Sequence, residues 1–143
     1  MTQPVRSASS TFPAELSSLY PMLSWVRNQV EEESFNDAEM RRIEIALEEA
    51  LVNIIHYAYQ GKVGVIEITY NYYPHEHIEI VIKDYGMPFN PLESGKKIDR
   101  NAPLEERKVG GLGISFIREL MDKMEYIRDG EANILTLKKH CQS

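Results

Sequence analysis

The stretch from Ile43 to Tyr59 constrains the fold of this 143-residue chain more than any other part of it. Its apolar residues recur at helical spacing and form one broad stripe that predicts a helix packed on a core: Met40, Ile43, Leu47, Ala50, Leu51, Ile54 and Ala58. Tyr59 is predicted to face solvent. Glu49, Asn53 and His56 lie on neither face and form a polar strip between apolar residues. Because burying such groups without partners is costly, the strip predicts the floor of a binding site.

The composition predicts one globular domain, with 43% hydrophobic and 27% charged residues. A net charge of −6 without a cluster of lysine and arginine argues against a nucleic-acid partner. The lone Cys141 cannot form an internal disulfide, which favours a reducing compartment, the cytoplasm. The sequence has neither a secretory signal pattern nor an apolar run of membrane-spanning length, so no membrane contact is expected.

The first part of the chain predicts two helices. Residues 1–11 are small and polar and indicate either a mobile arm or an edge strand, whereas residues 12–143 are expected to form a single domain. A helix is expected over residues 15–32, with Pro21 either kinking it or marking its true start. Its predicted apolar face comprises Leu16, Leu19, Leu23, Val26 and Val30. Asn36, with a glutamate three residues on, predicts the N-cap of the second helix, which should stop at Gly61.

The remainder predicts mainly strands. Residues 66–72 and 78–82 alternate apolar with polar residues and predict an antiparallel hairpin whose isoleucines pack on the helices. A later helix is expected to carry Ile114, Ile117, Leu120, Met121 and Met124 on one face. Residues 126–128 and 134–138 predict a final hairpin. Because helices and antiparallel strands are segregated, we expect an α+β fold, a two-layer sandwich with helices on one face of the sheet.

Three motifs could carry chemistry. Glu49 offers a general base, and Asn53 offers an amide oxygen, a weak Mg²⁺ ligand in a site that waters and substrate phosphates would complete. Asp84, two residues before Gly86 at a strand end, could accept a hydrogen bond from an adenine amino group. The cluster Gly110, Gly111 and Gly113 precedes a helix, where backbone N–H groups and the helix dipole can bind phosphate. Taken alone, each motif has a simpler structural explanation. The Glu49–Asn53 pair could lie at the edge of the core, Asp84 and Gly86 could form a turn, and the glycine cluster could be a hinge.

Taken in order, these motifs resemble a known family. The stretches EEALVNIIHYAY, VIKDYGMPFNP and ERKVGGLGISFIRELMDKMEYIRDGEANILTLKK are similar to the ATP-binding domain shared by gyrase, Hsp90-type chaperones, histidine kinases and MutL, the GHKL or Bergerat fold. Within that family the sequence of these stretches resembles that of the anti-sigma-factor serine/threonine kinases. The resemblance covers residues 12–139, nearly the whole chain.

The resemblance implies ATP and Mg²⁺ as cofactors and gives the first two motifs specific roles. Asn53 matches the asparagine that ligates Mg²⁺, and Glu49 matches the residue that activates the attacking hydroxyl. Asp84 matches the aspartate that reads the adenine amino group, with Gly86 beside it.

The resemblance also assigns the phosphate-binding region. Residues 91–109 match the ATP lid, in which Arg107 or Lys108 lies near the terminal phosphate. The phosphate-binding box comprises Gly110, Gly111, Leu112 and Gly113. The chain departs from the family pattern at Asn90, where aspartate is common, and at residues 108–109, where small residues are common. Both departures concern the lid assignment.

The resemblance implies an ATP-dependent serine/threonine protein kinase. Its expected substrate is a STAS-like anti-sigma-factor antagonist, and it is expected to hold a sigma factor and to form a homodimer. A nucleotide-dependent binding module that sequesters a partner without phosphoryl transfer is the main alternative. The ATPase half of a histidine kinase is disfavoured, because the first forty residues are too few for a phosphoacceptor hairpin.

Overall fold

A single antiparallel sheet forms one layer of the molecule. The computed structural model describes residues 3–31, 35–94 and 119–141. Within these ranges five strands pair in the order β1-β2-β3-β5-β4, all antiparallel. They are β1 (Arg6–Pro13), β2 (Val65–Tyr73), β3 (His77–Asp84), β4 (Lys123–Asp129) and β5 (Ala132–His140). Residues 6–13 therefore form the edge strand that was one of two expectations for the start of the chain, and the expected boundary at residue 12 falls inside it.

The helices form the second layer. A short 3₁₀ turn (Leu16–Ser18) leads into α1 (Leu19–Val30), and α2 (Asp37–Asn53) continues without interruption as a π-helix (Ile54–Tyr59). A four-residue helix, α3 (Pro91–Ser94), follows β3. The expected α+β sandwich with an antiparallel sheet is confirmed. In the part of the chain that the structure describes, no helix is both long enough and apolar enough to cross a bilayer.

The predicted stripe of α2 and its extension is confirmed. All seven of its predicted members are buried at 6% exposure or less: Met40, Ile43, Leu47, Ala50, Leu51, Ile54 and Ala58. The predicted N-cap is also present, since Asn36 accepts a hydrogen bond from the backbone N–H of Glu39 at 2.8 Å. Asp37 and Glu39 lie in the first turn, where their negative charge complements the helix dipole.

The inward face of the sheet provides the other half of the core. Its fully buried side chains come from the three central strands: Ile66, Ile68 and Tyr70, then Ile78, Ile80 and Ile82, then Leu135 and Leu137. The register pairs Ile68 with Ile82 and Ile80 with Leu137, so these side chains lie in rows across the strands. The predicted isoleucine hairpin is thus confirmed, and its alternation follows from the two-residue period of a strand.

Two predicted helix boundaries were wrong. Helix α1 begins at Leu19, so Leu16 lies in the 3₁₀ turn and is 52% exposed. Pro21 causes no break, because the N–H groups of a first helical turn have no intrahelical partner. Met124 belongs to β4 and not to the preceding helix. The Lys139 side chain donates to the carbonyl of Leu120 at 2.9 Å, and β4 begins three residues later.

Candidate functional site

Asn53, the last residue of α2, presents a free oxygen in a buried position. Its side chain is fully buried, and its Nδ2 donates to the Glu49 carbonyl at 2.7 Å and to Glu49 Oε1 at 3.3 Å. Among the described residues its Oδ1 has no hydrogen-bond partner. An unpaired buried acceptor costs about 1–3 kcal/mol, so this atom is suited to a ligand that supplies a positive charge or a donor. The half-buried Glu49 carboxylate lies beside it.

Asp84, the last residue of β3, is a second buried polar group. Its carboxylate is 1% exposed, and Oδ1 accepts from the backbone N–H of Gly86 and from Asn133 Nδ2, each at 2.9 Å. Both of these bonds end on Oδ1, and neither involves Oδ2. Burial raises the pKa of Asp84, and the hydrogen bonds from Asn133 and Gly86 and the charge of Arg128 oppose that rise.

Asn133 links Asp84 to the turn that follows it, and it was not among the residues predicted for the site. It is 2% exposed and pairs in register with Asp84. Besides its bond to Asp84, its Nδ2 donates to the carbonyl of Met87 at 2.8 Å. Its Oδ1 accepts from the backbone N–H of Phe89 at 3.2 Å and from the Tyr126 hydroxyl. The available signal was its alternation with Leu135 and Leu137, which assigns an amide to the core face of β5.

The turn that follows Asp84 is fixed from several sides. The N–H of Tyr85 donates to the Tyr59 hydroxyl at 2.8 Å, and the N–H of Met87 donates to the carbonyl of Ala58 at 2.9 Å. Arg128 Nη1 donates to the carbonyl of Gly86 at 2.9 Å. A Cβ at position 86 would lie 2.5 Å from the carbonyl oxygen of Ala58, so this close approach requires glycine.

The π-helix changes which residues after Asn53 face inward. Tyr59 was predicted to face solvent, but it is 5% exposed. The prediction was wrong because a π-helix bonds each N–H five residues back and not four, which rotates later residues relative to an α-helical wheel. His56, predicted in the polar strip, is exposed. The helix does end at Tyr59 as predicted, with Gln60 as a left-handed C-cap and Gly61 at φ +82°.

The phosphate-binding candidates lie outside the described residues. These are Arg107, Lys108, Gly110, Gly111, Leu112 and Gly113. Of the expected lid, residues 91–94 form α3 and residues 95–109 are not described. The side-chain oxygen of Asn90 accepts from the N–H of Leu92 at 2.9 Å, so asparagine at this position serves as the cap of α3.

The described ranges contain no group of three or more His, Cys, Asp or Glu residues placed to hold a metal ion. His75 is exposed, and the ring of His77 stacks on Tyr73 with centroids 4.7 Å apart. His75 lies in the turn and His77 begins β3, and neither belongs to such a group in the described ranges.

The family described as "Histidine kinase-like ATPase domain" matches residues 12–139. The chain belongs to the histidine kinase-like ATPases. The resemblance drawn from the three motifs is thus confirmed.

A relative named serine-protein kinase RsbW from Bacillus mycoides (strain KBAB4) is 34% identical over 103 residues, covering 70% of this chain and 64% of the relative. The protein of the same name from Halalkalibacterium halodurans (strain C-125) is 32% identical over 107 residues, covering 73% of this chain and 64% of the relative. The chain thus spans less than two thirds of the length of these relatives.

Solved structures show the same fold at low identity. The RsbU and RsbW domains of Rv1364c from Mycobacterium tuberculosis match with a TM-score of 0.66 and 13% identity, covering 98% of this chain and 34% of that chain. The catalytic domain of the histidine kinase ThkA matches with a TM-score of 0.55 and 16% identity, covering 94% and 96%. These similarities place the sheet and helices of this chain in the Bergerat architecture.

Proposed function

We propose that this chain is an ATP-dependent protein serine/threonine kinase of the anti-sigma-factor type. Its substrate is a serine or threonine hydroxyl on a STAS-like anti-sigma-factor antagonist, and its second role is to hold a sigma factor. Residues 12–143 act as one catalytic domain with residues 91–109 as the ATP lid, and the protein works as a homodimer. The family match and the relatives named serine-protein kinase support this proposal.

The pairing of Asn53 with Glu49 is the observation that carries the proposal. The free, buried Oδ1 of Asn53 is the kind of oxygen that Mg²⁺ accepts in a site completed by substrate phosphates. When bound, the ion would neutralise phosphate charge. Because both hydrogens of the Asn53 amide are bonded to Glu49, the oxygen is the group left for the ligand.

Glu49 acts as the general base. The hydroxyl oxygen of the substrate attacks the terminal phosphorus of ATP, its proton passes to the Glu49 carboxylate, and ADP leaves. Asp84 binds the adenine amino group through Oδ2, and Gly86 lets the turn beside that carboxylate pack against Ala58. The box of Gly110, Gly111, Leu112 and Gly113, with Arg107 or Lys108, holds the phosphates.

The test is incubation of the protein with labelled ATP, Mg²⁺ and a panel of STAS-domain proteins. We expect label on a serine or threonine of one of them. Glu49→Gln keeps an acceptor for the Asn53 amide but cannot take a proton, so we expect transfer to fall at least about 100-fold with little change in ATP affinity. Glu48→Gln, the same change on an exposed neighbour, is the matched control and should transfer at the wild-type rate.

Each contrary outcome has a distinct meaning. Full transfer by Glu49→Gln would refute the role of that carboxylate. ATP binding without transfer to any protein of the panel would favour the binding module that sequesters a partner. A stable phosphohistidine would favour the histidine kinase alternative.

A further inference from the structure

Tyr59 is buried and hydrogen-bonded at the end of the π-helix. Its ring occupies the space next to Gly64, where an added Cβ would lie 2.1 Å from the ring atom Cε1. Its hydroxyl donates to the carbonyl of Val65 and accepts from the N–H of Tyr85 at 2.8 Å. A hydroxyl has one hydrogen to donate, so the first bond leaves its lone pairs for the second. Burial raises the pKa of Tyr59, and the group remains a donor at neutral pH.

The bond to Tyr85 acts directly on Asp84, because the N–H of Tyr85 belongs to the peptide unit that begins at Asp84. A second bond, from the N–H of Met87 to the carbonyl of Ala58, holds the turn two residues further on. In an α-helix the N–H of Lys62 would bond to the carbonyl of Ala58. Here it bonds to the carbonyl of Tyr59 at 2.9 Å, which leaves the Ala58 carbonyl available to Met87. Consecutive π-helix residues therefore bind alternate N–H groups of the turn.

The same continuous element carries the other end of the site. The π-helix begins immediately after Asn53, whose side chain is bonded to Glu49. An α-helix in its place would rotate the later positions and remove Tyr59 from the turn. The π-helix thus begins at the Glu49–Asn53 pair, and its last two residues accept hydrogen bonds from the turn after Asp84.

We propose that Tyr59 is a positioning residue for base recognition. Its hydroxyl fixes the backbone at Asp84 and thereby sets the strength of the hydrogen bond that Asp84 accepts from the amino group of adenine. This inference rests on the proposed function and deepens it, because it concerns how the same site selects its nucleotide. A purely structural Tyr59 would influence the binding of every nucleotide equally, whereas a positioning residue influences only the contribution of the amino group.

The test compares Tyr59→Phe with the wild-type chain in calorimetric titrations of two nucleotides with Mg²⁺. One is ATP, and the other is purine riboside 5′-triphosphate, which lacks the 6-amino group. A hydrogen bond to a buried carboxylate should make the wild type prefer ATP by roughly 30-fold. We expect Tyr59→Phe to reduce this preference at least about threefold. Tyr73→Phe removes a hydroxyl at the opposite end of β2 and should leave the preference unchanged.

An unchanged preference in Tyr59→Phe, with both nucleotides weakened alike, would overturn the positioning role. A wild type that binds ATP without preferring it would instead refute the adenine assignment of Asp84, so the two failures are distinguishable. If Tyr59→Phe does not fold, hydrogen exchange of the Tyr85 amide in the wild type tests the inference instead. We expect slow exchange there, and exchange at the rate of a free peptide would overturn the inference.

Discussion

Replacing Asp84 by asparagine should weaken nucleotide binding while leaving the unfolding free energy nearly unchanged. The two bonds that Asp84 makes within the protein both end on Oδ1 and come from Gly86 and Asn133. The asparagine oxygen can accept both of them. Its NH₂ group then takes the place of Oδ2 and presents a donor to the amino group of adenine, which is also a donor.

The expected loss follows from that mismatch. A hydrogen bond to a charged acceptor contributes about 1.5–3 kcal/mol, and an unpaired buried donor costs about 1–3 kcal/mol. Because the bound base can shift, we expect a net loss of about 2–4 kcal/mol, or roughly 30-fold to 1000-fold in Kd. The unfolding free energy should change by less than about 1 kcal/mol, since the weaker bonds of a neutral acceptor are offset by relief of the buried charge that raises the pKa of Asp84.

Calorimetric titration with ATP measures the first quantity, and urea unfolding measures the second. Asp37→Asn is the matched control, because Asp37 is exposed at the far end of α2 and the variant should bind ATP normally. Wild-type affinity in a folded Asp84→Asn protein would refute the reasoning.

The other predictions concern the support of the same carboxylate. Gly86→Ala forces a Cβ against the backbone of Ala58 and should lower the unfolding free energy by about 1–3 kcal/mol in urea titrations, whereas wild-type stability would contradict the close contact. Asn133→Leu leaves several buried groups unpaired and should cost at least about 3 kcal/mol by the same assay, with Tyr126→Phe, which removes one of those bonds, costing less than half as much. Because the pKa of Asp84 is raised, the native state binds a proton more tightly than the unfolded chain, so the stability of the wild type relative to Asp84→Asn should fall as pH rises from the ordinary aspartate range through the raised native pKa, and then stay constant. Urea titrations of both proteins across that range would show a flat difference if the pKa is not raised.

The parts of the fold that depend on repeated local patterns were predictable. The α2 stripe follows from helical period, the isoleucine hairpin from strand alternation, and the Asn36 cap from short-range hydrogen bonding. The site motifs were predicted for a different reason, since Glu49, Asn53 and Asp84 have side chains whose chemistry is uncommon in buried positions.

The parts that were not predictable depend on long-range contacts or on backbone geometry. Asn133 acquires its role only when β5 pairs with β3, which no local pattern indicates. The π-helix has no residue signature in this segment, and its one-residue shift in hydrogen bonding placed Tyr59 on the wrong face of the predicted wheel. The strand assignment of Met124 likewise depends on pairing with Leu137 across the hairpin.

The register of β3 with β5 has a consequence for how this chain tolerates change. Residues 85–131, which include β4, connect the two neighbouring strands that place Asp84 beside Asn133. The entropy of closing such a loop grows only logarithmically, and doubling its length costs roughly 0.6 kcal/mol. Residues inserted between α3 and residue 119 would therefore change the free energy of pairing Asp84 with Asn133 very little. A longer connection would thus leave Asp84 in register with Asn133 at the end of β3.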